Sequence, residues 1–78
     1  MPRVLPLEAW RRRRLMNQRE LAKAAGITQA TLVDLEHGRG RPRASTMRKV
    51  AEALGVEPTA IAEFRRVIEA ERPGAIAA

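Results

Sequence analysis

The chain has 78 residues, with 15 Lys/Arg against 9 Asp/Glu for a formal net charge of +6, one histidine and no cysteine. That length holds one small domain with a modest core, and association with a second copy often helps so small a unit. Without cysteine there are no disulfides and no thiolate metal sites, and His37 alone excludes a histidine-rich site. No cofactor is expected. No run of about 18 apolar residues is present to span a membrane.

The opening MPRVLPLEAW lacks the apolar stretch of a secretory signal, so a soluble cytoplasmic protein is expected. Charge is spread unevenly. Met1 to Lys49 holds twelve Lys/Arg and four Asp/Glu, a balance of +8, whereas Val50 to Ala78 holds three and five, a balance of −2. A basic first half suits a polyanion-binding face. It equally suits a solvated surface in an arginine-biased sequence, since thirteen of the fifteen basic residues are arginine.

Strand signals are missing, and apolar residues recur at three- and four-residue intervals, so the pattern predicts an all-α bundle of five helices. The first covers residues 7–15, with Pro6 as its start signal. The second covers 18–25, capped by Asn17 with Glu20 completing a capping box, and stopped by Gly26. Thr28 caps a third over 29–37, ended by Gly38. The segment GRGRPR (38–43) is too rich in Gly and Pro to be helical. A fourth helix covers 44–54 and ends at Gly55. A fifth starts at Pro58, runs to residue 71 and is stopped by RPG (72–74). A single domain over 1–72 and a frayed tail over 73–78 follow.

Phase predicts the core: Leu7 and Trp10; Leu21, Ala22 and Ala25; Ile27; Leu32 and Leu35; Met47, Val50, Ala51 and Leu54; Val56 and Ile61. The same phase breaks up WRRRRL (10–15). Four arginines at about 100° steps point four ways and form no single patch. Arg14, one turn on from Trp10, is placed to lay its aliphatic stem along that ring.

The sharpest local feature is QRELAKAAGITQATLVDLEHG (18–38), two short helices around the turn AGIT, which is helix-turn-helix spacing. Ala22 lets the two helices cross closely, Gly26 supplies the backbone angles of the turn, and Ile27 and Leu32 pin the crossing.

With these residues the sequence resembles the Cro and lambda-repressor class of helix-turn-helix domains, the XRE family. The resemblance rests on Leu7, Arg11, Gln18, Leu21, Ala22, Gly26, Ile27, Thr28, Leu32, Glu36, Gly38, Pro42, TMRKVAEALGV (46–56) and Ile61. It covers residues 7–61 and fixes spacing across four helices. Four positions depart from the family pattern. Leu15 stands where Gly is common, Asn17 where Ser or Thr is, Met47 where Leu is, and Arg43 where a capping Ser is frequent.

The resemblance implies sequence-specific binding of double-stranded DNA as a transcriptional regulator in a prokaryote or phage, with the third helix in the major groove. Taking Leu32 as the centre of the buried face, Ala30, Val33, Asp34 and His37 point away from it and Gln29 sits at the free N-terminal edge. The base-reading set is therefore Gln29, Ala30, Thr31, Val33 and Asp34. Gln29 suits an adenine edge, Ala30 and Val33 suit thymine methyls, and Asp34 suits a cytosine amino group or a neighbouring arginine. Thr31 can reach DNA or bond within its own helix. His37 reads as a surface residue at a helix end.

Phosphates fall to Gln18 and Arg19 at the N-terminus of the second helix, an anion site by construction, and to Arg39, Arg41 and Arg43 on the loop. The resemblance also pairs Arg11 with Glu36, tying the first helix to the reading helix. It further implies a homodimer on a palindromic operator, for which the fifth helix offers Ile61, Phe64, Val67 and Ile68; Phe64 and Ile68 can instead close the protomer's own core. The alternative is the antitoxin of a toxin–antitoxin pair, which would bind a toxin protein as well as DNA. A protein-interaction module without DNA binding fits the loop cations less well. An enzyme is not expected, because the chain lacks a nucleophilic cysteine, a Gly-rich phosphate loop and paired carboxylates.

Overall fold

The structure, a computed structural model, describes residues 3–70. Among them are five α-helices: α1 (Leu7–Arg13), α2 (Gln18–Ala25), α3 (Gln29–Glu36), α4 (Ala44–Leu54) and α5 (Ala62–Ala70), with a 3-10 turn at Pro58–Ala60 before α5. No named strand occurs among the described residues, and none of their helices is long and apolar enough to cross a membrane. The fold is the expected all-α bundle. α2 packs mainly on α3 and α4, and the 3-10 turn packs on α5. The core is built from Leu7, Trp10, Leu21, Leu32, Leu35, Val50, Leu54, Ile61 and Phe64, with small Ala22, Ala25 and Ala51 where helices approach closely.

Four helix ends share one solution. At α2 the Ile27 N–H reaches back to the Ala22 carbonyl at 2.9 Å and the Gly26 N–H to Lys23 at 3.2 Å. At α4 the Val56 N–H bonds Ala51 at 3.0 Å and the Gly55 N–H bonds Glu52 at 3.1 Å. These are Schellman caps, in which a left-handed residue turns the chain and two amides satisfy the last carbonyls. Gly26 and Gly55 both take φ 73. α1 ends the same way with Leu15 in the glycine position at φ 57, its side chain 90 % exposed. The left-handed turn at Leu15 explains why α1 stops at Arg13 and not at residue 15. The fourth such end, on α3, belongs to the interface described below.

The fifth helix departs most from expectation. In place of one helix from 58, a 3-10 turn is followed by Ile61 in extended conformation (φ −98, ψ 117). Leu5 competes for this backbone: its N–H donates to the Ala60 carbonyl at 3.0 Å and its carbonyl accepts from the Ala62 N–H at 2.8 Å. That isolated parallel bridge buries Ile61 fully and restarts the helix at Ala62. α1 is fastened to the same region. Trp10 Nε1–H donates to the Ala60 carbonyl at 2.7 Å, and the Glu63 carboxylate accepts from the Leu7 N–H at 2.8 Å, capping a helix whose own N-cap, Pro6, has no side-chain acceptor. Arg14 lies over the Trp10 ring (5.6 Å to its centroid) and donates from Nε to the Leu54 carbonyl at the end of α4 (2.9 Å). The end of the fifth helix at residue 71 and the tail at 73–78 lie outside the described residues.

Candidate nucleic-acid interface

α2 and α3 are set up by local chemistry. The Asn17 side chain accepts from the Glu20 N–H at 2.7 Å while the Glu20 carboxylate accepts from the Asn17 N–H at 2.8 Å, a complete capping box. Thr28 Oγ1 accepts from the Thr31 N–H at 3.1 Å. The capping box leaves the Gln18 and Arg19 amides at the first turn of α2 with no intrahelical acceptor. Arg19 is exposed, and among the described residues no carboxylate pairs with it or with Arg43.

The inner end of α3 is held by a buried ion pair. Arg11 Nε lies 2.6 Å from Glu36 Oε2, with side-chain exposures of 10 % and 4 %. Arg11 also donates to the Met16 carbonyl at 3.1 Å. The Gln18 amide donates to Glu36 Oε1 at 3.0 Å, so one carboxylate ties α1, the start of α2 and the end of α3 together. Gln18, expected on a phosphate, thus has part of its side chain committed within the fold.

Leu32 and Leu35 are buried, while Gln29, Ala30, Asp34 and His37 are exposed. Thr31 and Val33 are half-buried, so Val33 is less open than phase alone suggests. Thr31's hydroxyl sits 2.9 Å from that of Thr28 and so bonds locally. His37 folds back, its Nδ1 2.8 Å from the Val33 carbonyl. Ala30, exposed, and Val33, half-buried, bring apolar groups to the outer side of α3.

Beyond α3 the backbone turns at Gly38 (φ 67) and Gly40 (φ 71), where L side chains are strained, and Arg43 forms the non-bonding N-cap of α4. Arg41 and Arg43 lie exposed along this loop. Arg39, also exposed, is held on α3: its Nε lies 3.2 Å from Asp34 Oδ1. One residue expected on phosphates and one expected on bases are therefore joined.

The proposed dimer stripe on α5 is reduced by the structure. Ile61 and Phe64 are both 0 % exposed and belong to the bundle's own core, because the Leu5 bridge draws the start of α5 inward. Val67 and Ile68 remain half-buried at its surface. No group of three or more metal-binding side chains occurs among the described residues.

The helix-turn-helix family profile matches residues 7–61, which run from the first core leucine of α1 to the bridged isoleucine before α5. The chain is also similar to the immunity repressor protein of Bacillus phage phi105, 35 % identical over 66 residues, which are 85 % of this chain and 46 % of that protein. The chain spans about half the length of that relative. No solved structure gives a significant match. The match covers the capped pair α2 and α3, the Arg11–Glu36 tie and the core that seats them, and the chain belongs to the XRE-type helix-turn-helix family.

Proposed function

We propose that this chain is the DNA-binding module of a transcriptional regulator that reads the major groove with α3, as a homodimer on a palindromic site. The observation that carries the reading is the division of α3 into two sides. Leu32, Leu35 and the Glu36 carboxylate anchor its inner side, and the outer side presents Gln29, Ala30 and Asp34 exposed, with Val33 half-buried beside them.

A helix fits the major groove, where each base pair shows a distinct donor, acceptor and methyl pattern. In this reading Gln29 offers both a donor and an acceptor to an adenine edge, and Ala30 and Val33 meet thymine methyls. Thr31 follows at the rim. The Gln18 and Arg19 amides, with Arg19, Arg41 and Arg43, hold phosphates and fix orientation without reading sequence. Val67 and Ile68 form the remaining apolar surface of α5 for a second copy, whose reading helix would meet a half-site one helical turn away. The relative's name, an immunity repressor, favours a regulator over the antitoxin alternative.

The test is selection of bound duplexes from a random pool, with protein mass measured in the same buffer. A two-fold symmetric site, a dimeric mass on it and affinity falling steeply with salt support the reading. Retention of all duplexes alike would overturn sequence reading, and a monomer on an asymmetric site would overturn the dimer.

A further inference from the structure

The Schellman ends of α2, α3 and α4 differ at one place. In this motif the residue after the left-handed turn commonly makes an apolar contact back onto the helix. At α2 that residue is Ile27 and at α4 it is Val56, both half-buried and packed on the core. At α3 it is Arg39. The backbone geometry is the same: the Arg39 N–H donates to the Asp34 carbonyl at 2.9 Å and the Gly38 N–H to Leu35 at 3.2 Å. The apolar contact is replaced by an ion pair between the same two positions, Arg39 Nε to Asp34 Oδ1 at 3.2 Å, with the side chains 60 % and 58 % exposed.

We propose that Asp34 and Arg39 act as one specificity-determining unit that reads a G·C base pair, with Asp34 positioning the Arg39 guanidinium on the outer side of α3. This rests on the DNA-binding reading above and reassigns Arg39 from phosphate to base. Three observations carry it. The cap fixes the Arg39 backbone, so the side chain is delivered to Asp34 and not left to wander on the loop. The closest approach is at Nε, the guanidinium nitrogen nearest the chain. The pair is neutral, and an exposed pair of this kind adds little to stability. It therefore has no strong role in folding and is a poor phosphate clamp, because moving Arg39 to a phosphate would leave the Asp34 carboxylate unpaired beside a polyanion. Side by side, an acceptor and a forked donor match the edge of a G·C pair: arginine donates to guanine O6 and N7, and a carboxylate accepts from cytosine N4.

The test is a double-mutant cycle on the full chain, Asp34→Asn, Arg39→Gln and both together. Affinity is measured on the selected duplex, on versions of it with each G·C pair exchanged, and on random duplex. Each single variant should lose roughly five- to hundredfold on the selected duplex at one and the same G·C pair. The double variant should lose little more than the worse single one, and random-duplex affinity should hardly change. Because both side chains are exposed, helix content should match the unaltered chain. The proposal is overturned if Arg39→Gln weakens selected and random duplexes alike with a shallower salt dependence, which marks a phosphate contact. It is equally overturned if the two losses multiply. Should the unaltered chain select no site at all, the parent reading fails first; a selected site with multiplying losses removes this inference alone.

Discussion

α2 and α3 are the same length, each begins on a side-chain cap and each ends in a Schellman turn at a glycine, yet their outer sides differ. α2 is sharply two-sided, with Leu21, Ala22 and Ala25 buried and Arg19, Glu20, Lys23 and Ala24 exposed. α3 buries Leu32 and Leu35 but carries Ala30 and a carboxylate outward, with Val33 half-buried. Equal framing with unequal outer faces separates what folding requires from what it leaves over. Length, caps and the inner leucines are shared and structural. The residues in which α3 departs from a plain amphipathic helix are the ones assigned to DNA.

The separation is broken most directly at the inner end of α3. Glu36→Ala leaves the Arg11 guanidinium buried without its partner, and loss of one side of a buried pair is expected to destabilise by about 3–5 kcal/mol. In urea unfolding this would remove much of the stability of so small a domain. Replacing both partners, Arg11→Met with Glu36→Leu, should recover most of it. A loss under about 1 kcal/mol for Glu36→Ala would mean the pair does not seat α3.

The caps come next. Asn17→Ala and Thr28→Ala should each cost about 1 kcal/mol. Asn17→Ala should be the larger of the two, because only Asn17 takes part in a reciprocal box. A much larger loss for Thr28→Ala would show that α3 is framed differently from α2.

The smallest effect has the opposite sign. Leu15 holds a left-handed angle that glycine adopts freely, so Leu15→Gly should raise stability by roughly 0.5–1 kcal/mol, the relief of strain exceeding the added freedom of the unfolded chain. Thermal unfolding reads this directly, and a drop in midpoint would show that the leucine is needed where it stands.

The legible part of the fold is local. The bounds of α2 and α4 follow from Asn17, Gly26 and Gly55, residues whose chemistry acts within one turn. The break at Ile61 was not legible, because its cause is Leu5, whose bridge lies 56 positions away in sequence. The cap that Glu63 supplies to Leu7 and the bond from Trp10 to Ala60 are hidden for the same reason. Periodicity marks Ile61 and Phe64 as apolar but cannot say which surface they cover, and both are buried in the bundle's own core. At the candidate interface, the direction of Gln29, Ala30 and Asp34 follows from helix phase. The link between Asp34 and Arg39 does not, since it depends on how the chain turns at Gly38.

The central claim is that the outer side of α3 reads base sequence. It is tested most directly by the affinity of Gln29→Ala for the selected duplex and for random duplex at one salt concentration. Gln29 is exposed and makes no bond that frames the helix, so the variant should fold as the unaltered chain does. The account predicts a loss of about 1–3 kcal/mol on the selected duplex and almost none on random duplex. Equal losses on both, or no loss on either, would contradict it.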